Sequence, residues 1–139
     1  MYKPAVLIEQ FQMEKTVCKT SFWALLKAEL NNLNASEFTV LLKSADRPIL
    51  LDVRSSEEIV DGSFLGALNI NYFSGDLWEQ LEILDKERDI FVFCRSGRRS
   101  IRVCTLLKNG GFDNTRIYNL DGGLNSFQKY YDFELNSLT

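Results

Sequence analysis

Ile90-Phe91-Val92-Phe93-Cys94-Arg95-Ser96-Gly97-Arg98-Arg99-Ser100 is the stretch on which the reading of this chain turns. Four consecutive apolar residues, all good β-formers, predict a short strand buried on both faces, as in a parallel sheet. The residues that follow Gly97, 98–109, carry a helical pattern, and Gly110-Gly111 stops it. Gly97 itself supplies the backbone freedom a tight turn needs. Cys94 is thereby placed at the carboxyl end of a strand, just ahead of a helix N-terminus. Ligands in open α/β sheets bind at that end of the strands. The unpaired N–H groups of the helix start add partial positive charge, and a thiol placed there is predicted to favour its thiolate form. Residues 90–112 hold four arginines, one lysine and no acid, whereas the chain as a whole carries a net charge of −3. A basic island on an acidic protein predicts an anionic species at this loop.

Outward from this stretch, strand and helix patterns alternate. Strands are predicted at 49–53, 66–71 and 115–120, and helices at 22–30, 37–44, 76–84 and 124–130. Ser21 and Ser36 are the expected N-caps of the first two helices. Ser55-Ser56-Glu57-Glu58 reads as the start of a short helix with acids in its first turn, closed by Asp61-Gly62. Asn31-Asn32 reads as a break, and Val6-Leu7-Ile8 as a short strand or an ordered arm. Asp52 interrupts the apolar strand 49–53, and a carboxylate there requires a partner, since an unpaired buried charge is costly. Alternating βα units predict an α/β domain with a central, mainly parallel sheet flanked by helices.

A length of 139 residues predicts one domain with a substantial core. The modest negative charge, with its basic residues in one short cluster, argues against a general nucleic-acid binder. No apolar run reaches membrane-spanning length, and the N-terminus lacks a signal-peptide pattern. A cytoplasmic location is the expectation. The three cysteines, Cys18, Cys94 and Cys104, show no framework spacing, which predicts free thiols in a reducing compartment. Cys104 is expected in the core of its helix. The chain has no histidine. That removes Cys-His and Ser-His-Asp catalysis and every histidine-containing zinc site, so no metal is expected.

Four segments in order resemble the single-domain rhodanese (sulfurtransferase) family across about residues 33–127. Leu50-Leu51-Asp52-Val53-Arg54 looks like its Asp-Val-Arg strand, and Gly66-Ala67-Leu68-Asn69-Ile70 like its Gly-Ala-x-Asn-Ile segment. Cys94-Arg95-Ser96-Gly97-Arg98-Arg99-Ser100 is similar to the family's Cys-x-x-Gly-x-Arg-Ser loop, and Leu120-Asp121-Gly122-Gly123-Leu124 to its Leu-x-Gly-Gly turn. Two positions depart from the pattern. Gly62-Ser63-Phe64 stands where the family usually has Gly-His-Ile, and Leu124 stands where an aromatic often follows the paired glycines. The resemblance implies a three-layer sandwich over residues 33–130; residues 1–32, outside it, read as an N-terminal extension that is partly helical, and 131–139 as a tail.

The resemblance also implies a mechanism. Cys94 would take the outer sulfur of a small anionic donor such as thiosulfate as a persulfide, with no other cofactor. It would then pass that sulfur to cyanide, a small thiol or a protein thiol. Arg95, Ser96, Gly97, Arg98 and Arg99 would form the persulfide-binding loop, and Asp52 and Arg54 would brace it. Neither nucleic acid nor membrane is an expected partner. Two alternatives belong beside this reading. A cysteine-based phosphatase or arsenate reductase of the same architecture carries a loop one residue longer, with arginine six positions after cysteine; here that position is Ser100 and the arginine is Arg99. A rhodanese-like binding or regulatory module without catalysis would typically lack the cysteine.

Overall fold

The computed structural model describes residues 22 and 24–127. Among the described residues, five strands form one sheet: β1 (Asn31–Leu33), β2 (Ile49–Asp52), β3 (Leu68–Asn69), β4 (Ile90–Phe93) and β5 (Ile117–Leu120). Their order is β1-β5-β4-β2-β3, and all four pairings are parallel. Three α-helices connect them: α1 (Ala35–Ser44), α2 (Leu77–Glu82) and α3 (Arg98–Asn109), with 3-10 turns at Glu58–Asp61 and Asn114–Arg116. Helical residues also occupy 24–28 and 123–127.

The two-residue period of the central strands builds two cores, one on each face. Ile49, Leu51, Val53, Ile90, Val92 and Cys94 face Val103, Cys104 and Leu107 of α3. Leu50, Phe91 and Phe93 face the opposite way, onto Ala35 and Phe38 of α1 and onto Phe64, Leu124 and Phe127. The same alternation continues one residue past β4 and sends the Cys94 side chain to the α3 side, beneath that helix's first turn. Phe38 and Phe91 meet edge to face with ring centroids 5.4 Å apart, which fixes α1 on its face.

The sheet is wholly parallel, in line with the expected α/β sandwich. Several element bounds differ from those predicted. Asn31-Asn32, read as a break, opens β1, which pairs with β5 in the register Asn31 with Tyr118 and Asn32 with Asn119. Asparagine is a poor strand former, but here the side chains do the pairing. Asn31 Nδ2 donates to the carbonyls of Asn114 (2.7 Å) and Ile117 (3.0 Å), and Asn119 Nδ2 donates to Asn32 Oδ1 (2.9 Å). Asn34, not Ser36, caps α1. Its Oδ1 accepts from the Glu37 amide at 2.8 Å, while the Asn34 amide donates to Glu37 Oε1 at 2.9 Å, a reciprocal capping box. The strand expected at 115–120 begins as a 3-10 turn, and that expected at 66–71 shortens to two residues. Ser21, Val6-Leu7-Ile8, Cys18 and the tail 131–139 lie outside the described residues.

Replacing the cap removes one of two reciprocal bonds at an exposed helix start. Asn34→Ala is expected to cost about 1 kcal/mol, read as a lower urea midpoint at unchanged m-value.

Candidate active site

Cys94 is fully buried, at 0% exposure. Its Sγ accepts from the Gly97 amide at 3.1 Å and lies 3.4 Å from both the amide and the hydroxyl of Ser100. The Ser100 hydroxyl in turn donates to the Gly97 carbonyl at 3.1 Å. Three polar groups of the loop and of the first turn of α3 therefore converge on one sulfur. Gly97 makes this possible. It precedes α3 with φ of +94°, a left-handed conformation that costs other residues energy.

The loop is held from behind by the turn that follows β5. The amides of Leu124 and Asn125 donate to the carbonyls of Cys94 (2.9 Å) and Arg95 (3.0 Å). This close approach requires glycine. A Cβ on Gly123 would lie 2.5 Å from each of those two carbonyl oxygens, and φ at Gly123 is +62°. The Leu-x-Gly-Gly turn is thus the backing plate of the cysteine loop, a role that its sequence alone does not display.

Asp52 and Arg54 form a buried pair. Arg54 Nη2 donates to Asp52 Oδ2 at 2.8 Å and Arg54 Nε to Oδ1 at 3.1 Å, and Nη2 reaches on to the Gly62 carbonyl at 2.7 Å. The Ser63 hydroxyl, standing where the family usually has histidine, donates to Asp52 Oδ2 at 2.7 Å. Asn69 Nδ2 ties the Asp52 and Arg54 carbonyls, each at 3.0 Å. These bonds satisfy the charge that the sequence left in need of a partner. They order the segment from β2 to β3, and the Val53 amide links that segment to the Phe93 carbonyl at 3.1 Å.

Sequence reasoning did not single out Glu58. Its carboxylate takes a bidentate grip on Arg99, with Nη1 to Oε1 at 2.6 Å and Nη2 to Oε2 at 2.9 Å, and Arg95 Nε lies 3.4 Å from Oε2. Ser55 steadies the same carboxylate through its amide (3.1 Å) and hydroxyl (3.0 Å). The hydrogen bonds from Arg99 hold the Glu58 carboxyl well below the usual carboxylate range, against a smaller opposing effect of burial, and Ser55 adds to the lowering. Arg99 shifts the complementary way, raised first by its hydrogen bonds to Glu58 and further by the charges of Cys94 and Asp52. The Ser-x-x-Glu spacing was the available signal. It marks a helix start, but not the partner 41 residues away. Arg99 also stacks over the exposed Phe73 ring, 5.4 Å from its centroid.

Arg95, Ser96 and Arg98 are exposed at the loop surface, whereas Gly97 and Ser100 are buried beneath them. Cys104 is buried in the same core as Cys94, and burial pushes its thiol far above its ordinary value. Among the described residues no cluster of potential ligands could hold a metal ion, and no helix is long and apolar enough to cross a membrane.

A sequence model of the rhodanese-like domain matches residues 34–130. The chain belongs to the rhodanese family. YtwF of Bacillus subtilis, whose name assigns it provisionally to the sulfurtransferases, is 31% identical over 100 residues, spanning 72% of this chain and 92% of YtwF. A sulfurtransferase of Allochromatium vinosum is 27% identical over 101 residues, covering 73% of this chain and 91% of that protein. Among solved structures, a rhodanese-related protein from Thermoplasma volcanium superposes with a TM-score of 0.61 at 27% identity, over 71% of this chain and 91% of the other. The rhodanese match begins one residue beyond β1, so the first strand of the sheet lies at its margin.

Two outcomes test this geometry. Gly123→Ala, which sets a methyl group against two backbone carbonyls at positive φ, is expected to destabilise the fold by more than about 2 kcal/mol in urea denaturation. Gly75→Ala, with nothing within 4 Å of the added methyl, should stay within about 0.5 kcal/mol. The second concerns acid. A folded-state pKa lowered below the unfolded value of about 4.3 stabilises the fold above that value, and the contribution is lost as pH falls through the folded one. The stability gap between the wild type and Glu58→Gln should therefore be level at neutral pH and close progressively below about pH 4, as read from urea midpoints across a pH series.

Proposed function

We propose that this rhodanese is a sulfurtransferase in which Cys94 carries sulfane sulfur as a persulfide between a donor such as thiosulfate and a thiophilic acceptor, cyanide or a thiol. The observation that carries this reading is the convergence of the Gly97 amide and both polar groups of Ser100 on the Cys94 sulfur. Named sulfurtransferases among the relatives support the same class.

The chemistry follows from those contacts. Attack of the Cys94 thiolate on the outer sulfur of thiosulfate forms the Cys94–sulfur bond, breaks the donor's sulfur–sulfur bond and releases sulfite. Negative charge passes from Sγ to the outer sulfur as the new bond forms, and the Gly97 and Ser100 amides at Sγ stabilise the attacking thiolate. Trans peptide planes assist. With the Cys94 and Arg95 carbonyls turned to residues 124 and 125, the N–H groups of Arg95 and Ser96 point away from them. Acceptor attack on the terminal sulfur then returns the thiolate. Neither half-reaction needs a general base once the thiolate exists, so a chain without histidine can run both. The loop fits one sulfur better than a phosphate, since the arginine falls five residues after cysteine and its guanidinium is engaged by Glu58.

Thiosulfate treatment is expected to add one sulfur to the Cys94 peptide in mass spectrometry, and cyanide should then release thiocyanate. Cys94→Ser should reduce thiocyanate formation at least about a thousandfold, the scale on which loss of a covalent nucleophile acts. Full activity in that variant, or aryl-phosphate hydrolysis without sulfur uptake by the wild type, would overturn the reading.

A further inference from the structure

A groove of about 300 Å³ lies beside the cysteine loop, lined by Leu26, Tyr72, Arg102, Thr105 and Leu106. Its walls are chiefly apolar, and Leu106 remains 40% exposed. Contacts run unbroken from this groove to the sulfur. Arg102 Nη1 donates to the Tyr72 hydroxyl at 3.4 Å, and the Tyr72 ring meets Phe73 edge to face, centroids 5.3 Å apart. Phe73 lies under the Arg99 guanidinium. Ser100, next in the chain, holds Cys94 Sγ. Arg102 follows Arg99 by three residues on α3, so the two are neighbours on that helix. Leu26 belongs to the helical residues 24–28, which precede the matched domain. Two ion pairs fasten that segment, Lys27 to Asp121 at 2.7 Å and Glu29 to Lys108 at 2.5 Å. One wall of the groove is thus supplied from outside the matched residues.

Each of those ion pairs is neutral, but the surface between groove and loop is not. Arg95, Arg98, Arg99 and Arg102 share it, α3 carries no acid, and Glu58 is the carboxylate that engages two of them. The chain as a whole carries a charge of −3. An acidic macromolecule is therefore drawn to this face and repelled by the remainder of the protein. We propose that the groove is the docking site of an acidic, thiol-bearing protein, which seats an apolar side chain between Leu26 and Leu106, sets carboxylates beside Arg102 and the loop arginines, and takes the sulfur from Cys94. This proposal rests on the sulfurtransferase reading above and deepens it by naming the class of acceptor. The partner's thiolate attacks the outer sulfur of the Cys94 persulfide and the sulfur–sulfur bond breaks. The electron pair returns to Cys94 Sγ as thiolate, and the persulfide is left on the partner. Single-stranded RNA, which also suits arginines beside exposed aromatics, is disfavoured by the chain's net negative charge and by the aliphatic walls of the groove.

The test uses the full chain, loaded with thiosulfate, and two synthetic leucine-containing thiol peptides as acceptors, one rich in aspartate and glutamate, the other with lysine at those positions. Peptide persulfide is read by mass spectrometry, and thiocyanate formation from cyanide is the reference. Each peptide's kcat/KM is divided by its rate with a small-molecule persulfide, which removes differences in thiol reactivity. The wild type is expected to favour the acidic peptide about tenfold, an advantage that shrinks with added salt. Arg102→Glu and Leu106→Gln should each lower kcat/KM for the acidic peptide about tenfold and leave thiocyanate formation unchanged, while Arg102→Lys should keep the wild-type preference. An acidic peptide used no better than the basic one overturns the proposal. So do variants that leave the acidic peptide's rate unchanged, or that slow peptide and cyanide alike. An oligouridine that binds the wild type but not Arg102→Glu, without discrimination between the peptides, assigns the face to RNA and also overturns it. If a variant does not fold, as judged by circular dichroism, the wild-type preference and its salt dependence decide. Failure of thiosulfate to load sulfur on Cys94 overturns the sulfurtransferase reading itself, whereas loading followed by equal transfer to both peptides overturns this proposal alone.

Discussion

The two hydrogen bonds from the Leu124 and Asn125 amides to the Cys94 and Arg95 carbonyls are what the cysteine loop depends on. A loop that must aim N–H groups at a sulfur has to dispose of its carbonyls elsewhere, because each peptide unit presents the two on opposite sides. Buried carbonyls left without partners would cost more than the loop gains. The 122–125 turn supplies those partners at a distance only glycine permits. It thereby frees the inward side of the loop for Gly97 and Ser100 to face Cys94. The paired glycines and the cysteine loop, 28 residues apart from Cys94 to Gly122, are two halves of one backbone arrangement.

Charge is arranged around this frame with little left over. Asp52 ends an otherwise apolar strand, fully buried, yet Arg54, Ser63 and a backbone amide account for its oxygens. The pair costs desolvation, and what it secures is the shape of the connection that delivers Glu58. The basic island of the sequence is likewise less positive in space than in the chain. Glu58 comes from another segment to meet it, and the loop's field at the mouth is the sum of both.

Much of this architecture was legible in the chain. The strands Ile49–Asp52 and Ile90–Phe93 announce themselves as short apolar runs because both of their faces are buried, and the helix Arg98–Asn109 is bounded by glycines at both ends. Cys94 could be placed from the strand–glycine–helix order alone. What escaped depended on partners distant in sequence. Asn31-Asn32 has the composition of a turn, and becomes a strand only because β5 offers carbonyls and Asn119 to its side chains. Ser63 looks like a lost histidine until its hydroxyl is seen on Asp52. Glu58 carries the local mark of a helix start, and nothing nearby indicates that its carboxylate belongs to Arg99. Propensity and period report the neighbourhood of a residue, whereas the site is made where neighbourhoods meet.

The strand order β1-β5-β4-β2-β3 has a temporal consequence. The first strand finds its place only beside the last, a closure spanning 87 residues from Asn32 to Asn119, and the glycine turn that backs the cysteine loop follows directly after that last strand. Non-local closures of this kind are paid for in entropy before their contacts reward it, and they form late. During synthesis, β2 and β4 can pair as soon as both have emerged, but the loop at Cys94 has no backing until residue 125 is free to dock. A nascent or truncated chain can therefore hold much of the sheet while its thiol still lacks an ordered cradle, so chemical competence at Cys94 and completion of the fold arrive together.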